Sequence, residues 1–517
     1  MSRMQKTVAG QFYRLGLVIA AAVMLSFQVT CGSAHANDAQ YGGTLSFGVE
    51  NDFAGFEVIQ SSSRLAINGA VAANTIMEPL FRMDAKGELV PVLGLSLTAS
   101  DNGRLWTIPL RRGVKFHDGT PFDADAVVSH WQRMFDPQNK FRGRNALSVI
   151  EAVEKIDDFT IRYRLKHPWL PFKRAISSTR GLINLIPSPQ AVASGSQNRA
   201  PVGTGPFVFK EWKTADRFVV VKNPHYWKAA EPFLDTILFR PIPDSQTRYA
   251  GLKSGQLDMI WSDRGNIIDS AKQDPSLSVY QSDDNGAEIF VINTSSPPLD
   301  DVRVRQALAY AHDQARQVEL VYKKSIPIVH HPFGTDFQCP DDGYRDHDPA
   351  KARKLLADLD APPNLEILHS NSPRGRETGE ITQQLLKEVG VQATPVGLNF
   401  GPVIKKVLSG QYQVSTWRIS SRPDQGPALF RAFHSKSRGN FSRYSNPEMD
   451  RLLLAQRMET DPARRQALLC QIAGLINEDV PILYRGGMRS HIIARQNVNG
   501  IDEFNHGIVR LETVWIK

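Results

Sequence analysis

A mixed α/β architecture with several domains is what this sequence predicts. Three observations carry that expectation: the chain length, short β-branched or aromatic runs, and apolar helical stripes opened by Asp-Pro pairs. The chain has 517 residues, and at roughly 150 residues per domain it holds about three domains with substantial cores. Hydrophobic residues make up 41% and charged residues 22%, and mean hydropathy is −0.30. That balance is globular, and it excludes collagenous, low-complexity and polytopic membrane chains.

Residues 1–36 read as an export signal. Arg3, Lys6 and Arg14 come before any acidic residue, an apolar run follows from Leu15 to Leu25, and Ala34-His35-Ala36 gives the small-x-small pattern of a cleavage site after Ala36. The run is about half of the ~20 apolar residues that a permanent membrane helix needs. Lipid attachment at Cys31 fits poorly, because Thr30 and Gln28 stand where small and aliphatic residues are required. Cleavage removes three basic residues and takes the net charge from +8 to +5. That charge is too mild and too evenly spread for nucleic acid. The mature chain is expected outside the cytoplasm.

Strands come next. Leu45-Ser46-Phe47-Gly48-Val49 alternates apolar and small residues, and Phe218–Val221 and Ile289–Ile292 are short runs suited to a buried sheet. Helices carry start signals. In Asp348-Pro349-Ala350 the Asp side chain can accept from first-turn N–H groups, and the proline sits where its missing N–H costs nothing. Ala352, Leu355, Leu356 and Leu359 then share one face. Asp461-Pro462 repeats the device ahead of Leu468, Ile472, Leu475 and Ile476, and Val304, Ala307, Leu308 and Ala311 form a third stripe. Beyond the export signal the cysteines are Cys339 and Cys470. An oxidising compartment permits a bridge between them, and two separately buried thiols are equally compatible with the sequence.

Catalytic signatures are missing. No G-x-x-x-x-G-K-[ST], G-x-S-x-G, H-E-x-x-H or G-x-G-x-x-G occurs. Gly203-Thr204-Gly205 leads into Pro206-Phe207 rather than a lysine-bearing helix start, and His330-His331 are adjacent, so they lack metal-ligand spacing. These absences count against an enzyme without excluding one, and no metal site and no cofactor is expected.

An ordered series of motifs then carries a resemblance. It runs Asn74–Leu80, Gly87–Pro91, Leu110–Phe122, Pro201–Phe207, Asn223–Trp227, Leu252–Asp258, Val302–Ala311 and Tyr444–Asp450. The series resembles the dipeptide/oligopeptide/nickel class, family 5, of extracytoplasmic solute-binding proteins of ABC importers, over nearly the whole mature chain. Ala126 and His312 are minor departures from the family pattern. The resemblance implies an α/β periplasmic-binding-protein fold of two lobes joined by a hinge. Lobe I would comprise 41–287 and 490–517, with 75–202 as an extra subdomain giving a three-domain, pear-shaped molecule; lobe II would comprise 288–489. It also implies a monomer that captures a peptide or peptide-sized, anionic solute by lobe closure and delivers it to the transmembrane permease subunits. A nickel or metal-chelate receptor using Arg180, with His330 or His331, is the rival within the class; an exported hydrolase is the rival outside it.

The candidate site follows from the same resemblance. Peptide-binding members carry a Trp followed three positions later by an Asp that holds the peptide ammonium. Trp417 matches the Trp, but Ser420 stands at the Asp position, and a hydroxyl does not neutralise a buried cation. Asp424, in the Pro-Asp turn that follows, is the substitute. Trp417 is expected to be an aromatic platform, and Arg418 and Arg180 a carboxylate clamp, since guanidinium forks suit such groups. Arg142, Arg144, Arg174 and Arg422 add basic charge nearby. Phe56, after the first strand, is expected as a cleft wall, and Asn293 as a contact near the lobe crossing.

Overall fold

The Thr44–Val49 strand buries Leu45, Phe47 and Val49 on one face and lies parallel between the Thr236–Pro241 and Met259–Ser262 strands. In the computed structural model, residues 39–517 are described apart from 62–66, 85, 142, 145–146, 334–336, 341, 360 and 420–423. The export signal with Cys31, and also Arg142, Ser420 and Arg422, lie outside the described residues. Residues Tyr41–Lys517 form one compact unit.

Ten strands form one continuous sheet. Its first five, from the outer edge inward, are Phe207–Lys213, Arg217–Lys222, Thr236–Pro241, Thr44–Val49 and Met259–Ser262. The sheet continues through Ile482–Arg495, Leu277–Ile292, Val414–Ile419, Asn364–Ser370 and Gln392–Leu398. The two long central strands, Leu277–Ile292 and Ile482–Arg495, run antiparallel along almost their whole length. At one end, residues 491–494 pair with Met259–Ser262; at the other, residues 287–292 pair with Val414–Ile419. The chain therefore crosses between the halves of the sheet on these two strands. Register shifts between Asp284 and Ala287 and between Glu288 and Ile289 interrupt the ladder at the crossing, and such bulges bend a strand locally. The boundaries drawn from sequence at 287/288 and 489/490 fall inside these strands.

Each half has its own core. The first gathers Leu45, Phe47, Phe218, Phe239 and Ile492 with the region from Ala70 to Ile186. Ala287, Ile289, Leu429, Phe433, Ile472 and Tyr484 build a core on one face of the second half, and Phe290, Ile292, Leu308, Ile367 and Leu386 build another on the opposite face. A separate antiparallel sheet, in the order Thr98–Ser100, Leu105–Pro109, Thr160–Leu165, Ile150–Asp157, stands in the 75–202 region. The Ala124–Phe135 helix, capped by Asp123, packs Trp131 edge-on against Tyr163 there.

Three of the sequence motifs meet at one buried carboxylate. Glu78 accepts from Thr204 Oγ1 at 2.8 Å, Tyr226 Oη at 2.7 Å and Trp227 Nε1 at 3.0 Å. Burial pushes its pKa up, and the three donors oppose that push. Gly203 and Gly205 are required by close approach: a Cβ on Gly203 would stand 2.2 Å from the Ile76 carbonyl oxygen. These motifs are fold determinants.

The helix starts form as the sequence predicts. Asp348 accepts from Lys351 N and Asp461 from Arg464 N, each with proline in the first turn. Val304, Ala307, Leu308 and Ala311 are all buried. Cys339 and Cys470 form a disulfide with Cα atoms 5.3 Å apart, which resolves the alternative the sequence left open. Among the described residues no helix is long and apolar enough to cross a membrane.

Candidate functional site

Open α/β sheets bind ligands outside the carboxyl ends of their parallel strands. Here both halves of the sheet present such ends to one another. In the first half, Thr44–Val49 and Met259–Ser262 are parallel and end at Glu50 and at Asp263-Arg264. In the second half, Asn364–Ser370 runs parallel to Val414–Ile419. Its end leads into the Pro373–Lys387 helix, capped by Ser372, while the neighbouring strand carries Arg418 near its own end.

Ion pairs join the two sets of ends. Arg374 pairs with Asp263, and Arg264 Nη2 lies 3.0 Å from Glu377 Oε1. Beside the crossing strands, Arg180 Nη1 lies 3.0 Å from Asp284 Oδ2 and also donates to the His506 carbonyl. Arg485 donates to Glu288 Oε2 at 2.6 Å, to Tyr322 Oη at 2.9 Å and to the Ile289 carbonyl at 3.1 Å. Arg418 differs from these four. It is exposed and makes no ion pair with a described residue. Glu288, directly opposite it across the strands, is turned to Arg485.

The electrostatics show how crowded this cation cluster is. Burial pulls the pKa of Arg180 down, with Asp284 opposing and Arg418 adding to the pull. Burial likewise pulls Arg374 down, with Glu50 opposing and Arg485 and Arg418 reinforcing. Arg418 therefore lies in the field of two partly desolvated guanidinium groups, and an anion placed beside it relieves like-charge repulsion.

The sequence-expected residues divide sharply. Arg180 and Arg418 are brought within electrostatic reach of each other, although Arg180 is engaged with Asp284. Alternation along the strand sends Trp417 and Arg418 to opposite faces; Trp417 is half-buried, packs on the second core, and meets Phe441 edge-on at 5.4 Å. Phe56 is not a cleft wall. It is 1% exposed, inside an aromatic cluster with Phe53, Trp212 and Phe218. Asn293 is a backbone clamp instead of a contact, because its buried amide donates to the Gly410 and Tyr412 carbonyls. Asp424 is no substitute for the missing Asp either: both its oxygens accept from Arg465 at 2.8 Å, and one also accepts from Gly426 N. Ser420 lies outside the described residues. Arg144 and Arg174 are exposed.

Sequence reading missed Glu50, Asp263, Arg264, Arg374, Glu377 and Arg485. A usable signal existed for Arg374, since Ser372-Pro373 marks a helix start directly after a strand. His330 stacks on Tyr344 with centroids 3.9 Å apart, and among the described residues no cluster of His, Cys, Asp or Glu is arranged to hold a metal ion.

The model of the bacterial extracellular solute-binding proteins, family 5, matches residues 88–441. The chain is 30% identical to the probable di/tripeptide-binding protein 5 of Pseudomonas aeruginosa, over 88% of this chain and 92% of that one. Identity to the glutathione-binding protein GsiB of Pectobacterium atrosepticum is 28%, over 80% and 83%. The Helicobacter pylori periplasmic binding protein DppA, solved in complex with the peptide STSA, superposes with a TM-score of 0.83 at 22% identity, over 92% of this chain and 98% of that one. The chain belongs to family 5 of the bacterial extracellular solute-binding proteins. Its fold is the two-lobed periplasmic-binding-protein fold, and its class is the substrate-binding receptor of ABC importers, which sets aside the exported hydrolase.

Proposed function

We propose that this receptor, exported and cleaved after Ala36, captures a short peptide or glutathione-like solute through an anionic group and passes it, as a monomer, to the permease subunits of an ABC importer. Lobe I, residues 41–287 and 490–517 with the 75–202 subdomain, closes on lobe II, residues 288–489, by flexing the two crossing strands. Binding favours the closed form because the ligand touches both lobes only there. The observation that carries the anionic preference is Arg418, exposed and without an ion-pair partner among the described residues, in the field of Arg180 and Arg374. The named specificities of the peptide- and glutathione-binding relatives support the peptide-like class.

Isothermal titration with trialanine and its carboxy-terminal amide tests this reading. The free acid is expected to bind about tenfold or more tightly than the amide, the worth of one charge-assisted hydrogen bond. Arg418→Gln is expected to level the two. Equal affinity of acid and amide for the unmodified protein would refute the anionic preference. Failure of trialanine and glutathione alike to bind saturably would refute the peptide-like class.

A further inference from the structure

Asp263-Arg264-Gly265 follows a strand of the first half of the sheet, and residues of the second half meet it on two sides. Arg374 and Glu377 hold the two charged side chains. The backbone is met by the turn that follows the Gln314–Leu320 helix. Ser325 Oγ lies 3.4 Å from the Asp263 carbonyl oxygen. Gly265 is buried and opens the Gly265–Lys272 helix. A Cβ there would stand 2.5 Å from the Lys323 Cβ and closer still to the Tyr322 carbonyl oxygen, whereas carbon–carbon contact needs roughly 3.5–4.0 Å. The two backbones therefore touch with no room for one more carbon.

The turn is held in one shape. Lys323 and Lys324 both have left-handed backbones, at φ 48° and 60°, which persist in such residues only where the surroundings fix them. Tyr322 is 1% exposed and packs with Val318, Val321 and Ile326. Its Oη accepts from Arg485 at 2.9 Å, and its carbonyl oxygen lies 2.6 Å from Ser325 Oγ. Ile326 and Pro327 then lie against the crossing strand Ile482–Arg495 at two glycines. Gly487 N donates to the Pro327 carbonyl at 2.7 Å. Cβ atoms on Gly486 and Gly487 would meet Ile326 Cδ1 at 2.5 Å and Pro327 Cγ at 2.8 Å. One end of the turn thus bears on the crossing strand and the other on Gly265.

We propose that the Tyr322–Pro327 turn is a closure stop, and that Gly265 is the point where lobe I comes to rest against it. The stop rests on the lobe closure proposed above and adds what ends that motion. Rotation of lobe I about the crossing strands carries Asp263-Arg264-Gly265 toward the turn or away from it. The ion pairs of Asp263 and Arg264 draw the lobes together, and the contact at Gly265 sets how far they come. A side chain at position 265 is accommodated in an open form and blocks the closed one. It weakens binding without touching the ligand, because fewer molecules reach the binding-competent form.

Gly265→Val and the milder Gly265→Ala test it, with Gly265→Ala/Lys323→Gly as the rescue and Asp263→Asn/Glu377→Gln as a control for closure itself. Small-angle scattering with and without trialanine, trialanine titration and the ligand-free thermal midpoint are measured for each. Ligand-free Gly265→Val is expected to have a larger radius of gyration than the unmodified protein and to bind trialanine about tenfold or more weakly. Gly265→Ala should fall between the two, and the midpoint should hardly move. Lys323→Gly removes the opposing Cβ and suits a left-handed backbone, so it should return Gly265→Ala toward the unmodified radius and affinity. An unchanged ligand-free radius in Gly265→Val, or in Gly265→Ala where the valine variant does not fold, overturns the stop. A fallen midpoint with an unchanged radius also overturns it, and shows the contact to be packing common to both forms. Where the ion-pair control or trialanine alters the radius and Gly265→Val does not, the stop alone falls. One radius for all the proteins, with and without trialanine, removes the stop together with the closure beneath it.

Discussion

Arg264 and Glu377 meet at 3.0 Å although the first belongs to the amino-terminal half of the sheet and the second to the far half. The pair is one arm of a reciprocal clasp. Asp263, next to Arg264, holds Arg374, three residues before Glu377. Acid and base alternate on both sides, so each of these four charges is compensated across the clasp.

On the closure proposed above, the clasp should favour a closed ligand-free form, and its loss should open the cleft. Glu377 is 42% exposed, so the pair contributes about 0–1 kcal/mol to global stability. The conformational effect is expected to exceed the stability effect. In small-angle scattering, ligand-free Asp263→Asn/Glu377→Gln should show a larger radius of gyration than the unmodified protein. High salt should shift the unmodified protein the same way by screening. Superimposable profiles would show that the clasp does not bias closure.

Arg180 is expected to act through Asp284. The Asp284 side chain is fully buried, and it also accepts from Ser282 Oγ and Ser490 Oγ at 3.1 Å. Removing its cation leaves a buried charge unpaired. Arg180→Met should therefore destabilise the protein by about 3–5 kcal/mol, and adding Asp284→Asn should restore most of that loss. Urea unfolding of the two variants checks this. A mild effect of Arg180→Met on stability with a large effect on trialanine affinity would return Arg180 to the role of direct clamp.

The fold was largely legible in the sequence, and the physical reason is local. Alternation around Phe47, the Asp-Pro starts at Asp348 and Asp461, and the stripe from Val304 to Ala311 each report their own backbone, and each formed as read. The site was legible only in part. Arg418 announced itself by following Trp417, but Trp417 and Arg418 leave their strand on opposite faces, which a motif does not convey. Phe56 and Asn293 were misread because position after a strand does not distinguish a wall from a core residue. Arg374 and Glu377 acquire meaning only when strand ends more than 100 residues apart in sequence are brought together, at Asp263 and Arg264; no local pattern holds that information.

Stability should fall on acidification between about pH 6.5 and pH 4. Burial lowers His130, His312 and His491 to about 4 in the folded protein, while an unfolded histidine titrates near 6.5. His130 and His312 hold their Nε2–H against carbonyl oxygens, of Ile183 at 2.8 Å and Tyr484 at 2.9 Å. Within that window the unfolded chain binds more protons than the folded one, so stability rises with pH and is lost as pH drops. Glu78, raised by burial, works in the opposite sense above the ordinary carboxylate range. Urea midpoints measured from pH 7.5 to 4.5 should decline, and His312→Asn should flatten the decline. A midpoint independent of pH over this range would contradict the buried neutral histidines.

Trp417 offers a sharp choice between platform and core. A cleft platform predicts that Trp417→Ala weakens trialanine binding by about 1–3 kcal/mol and leaves the ligand-free thermal midpoint unchanged. The structure argues for the converse. Trp417 leans on the second core beside Phe441, and it lies across from Ile289 on the strand that carries the crossing. Removing the ring there forfeits buried aromatic area and an edge-to-face contact, so Trp417→Ala should cost about 2–4 kcal/mol of ligand-free stability. Trp417→Phe should recover part of that loss. Affinity for trialanine, measured well below the lowered midpoint, should change by less than about tenfold in either variant. A larger loss of affinity with an intact midpoint would place the ring against the ligand, and the strand would then present both of its faces to the cleft at its carboxyl end.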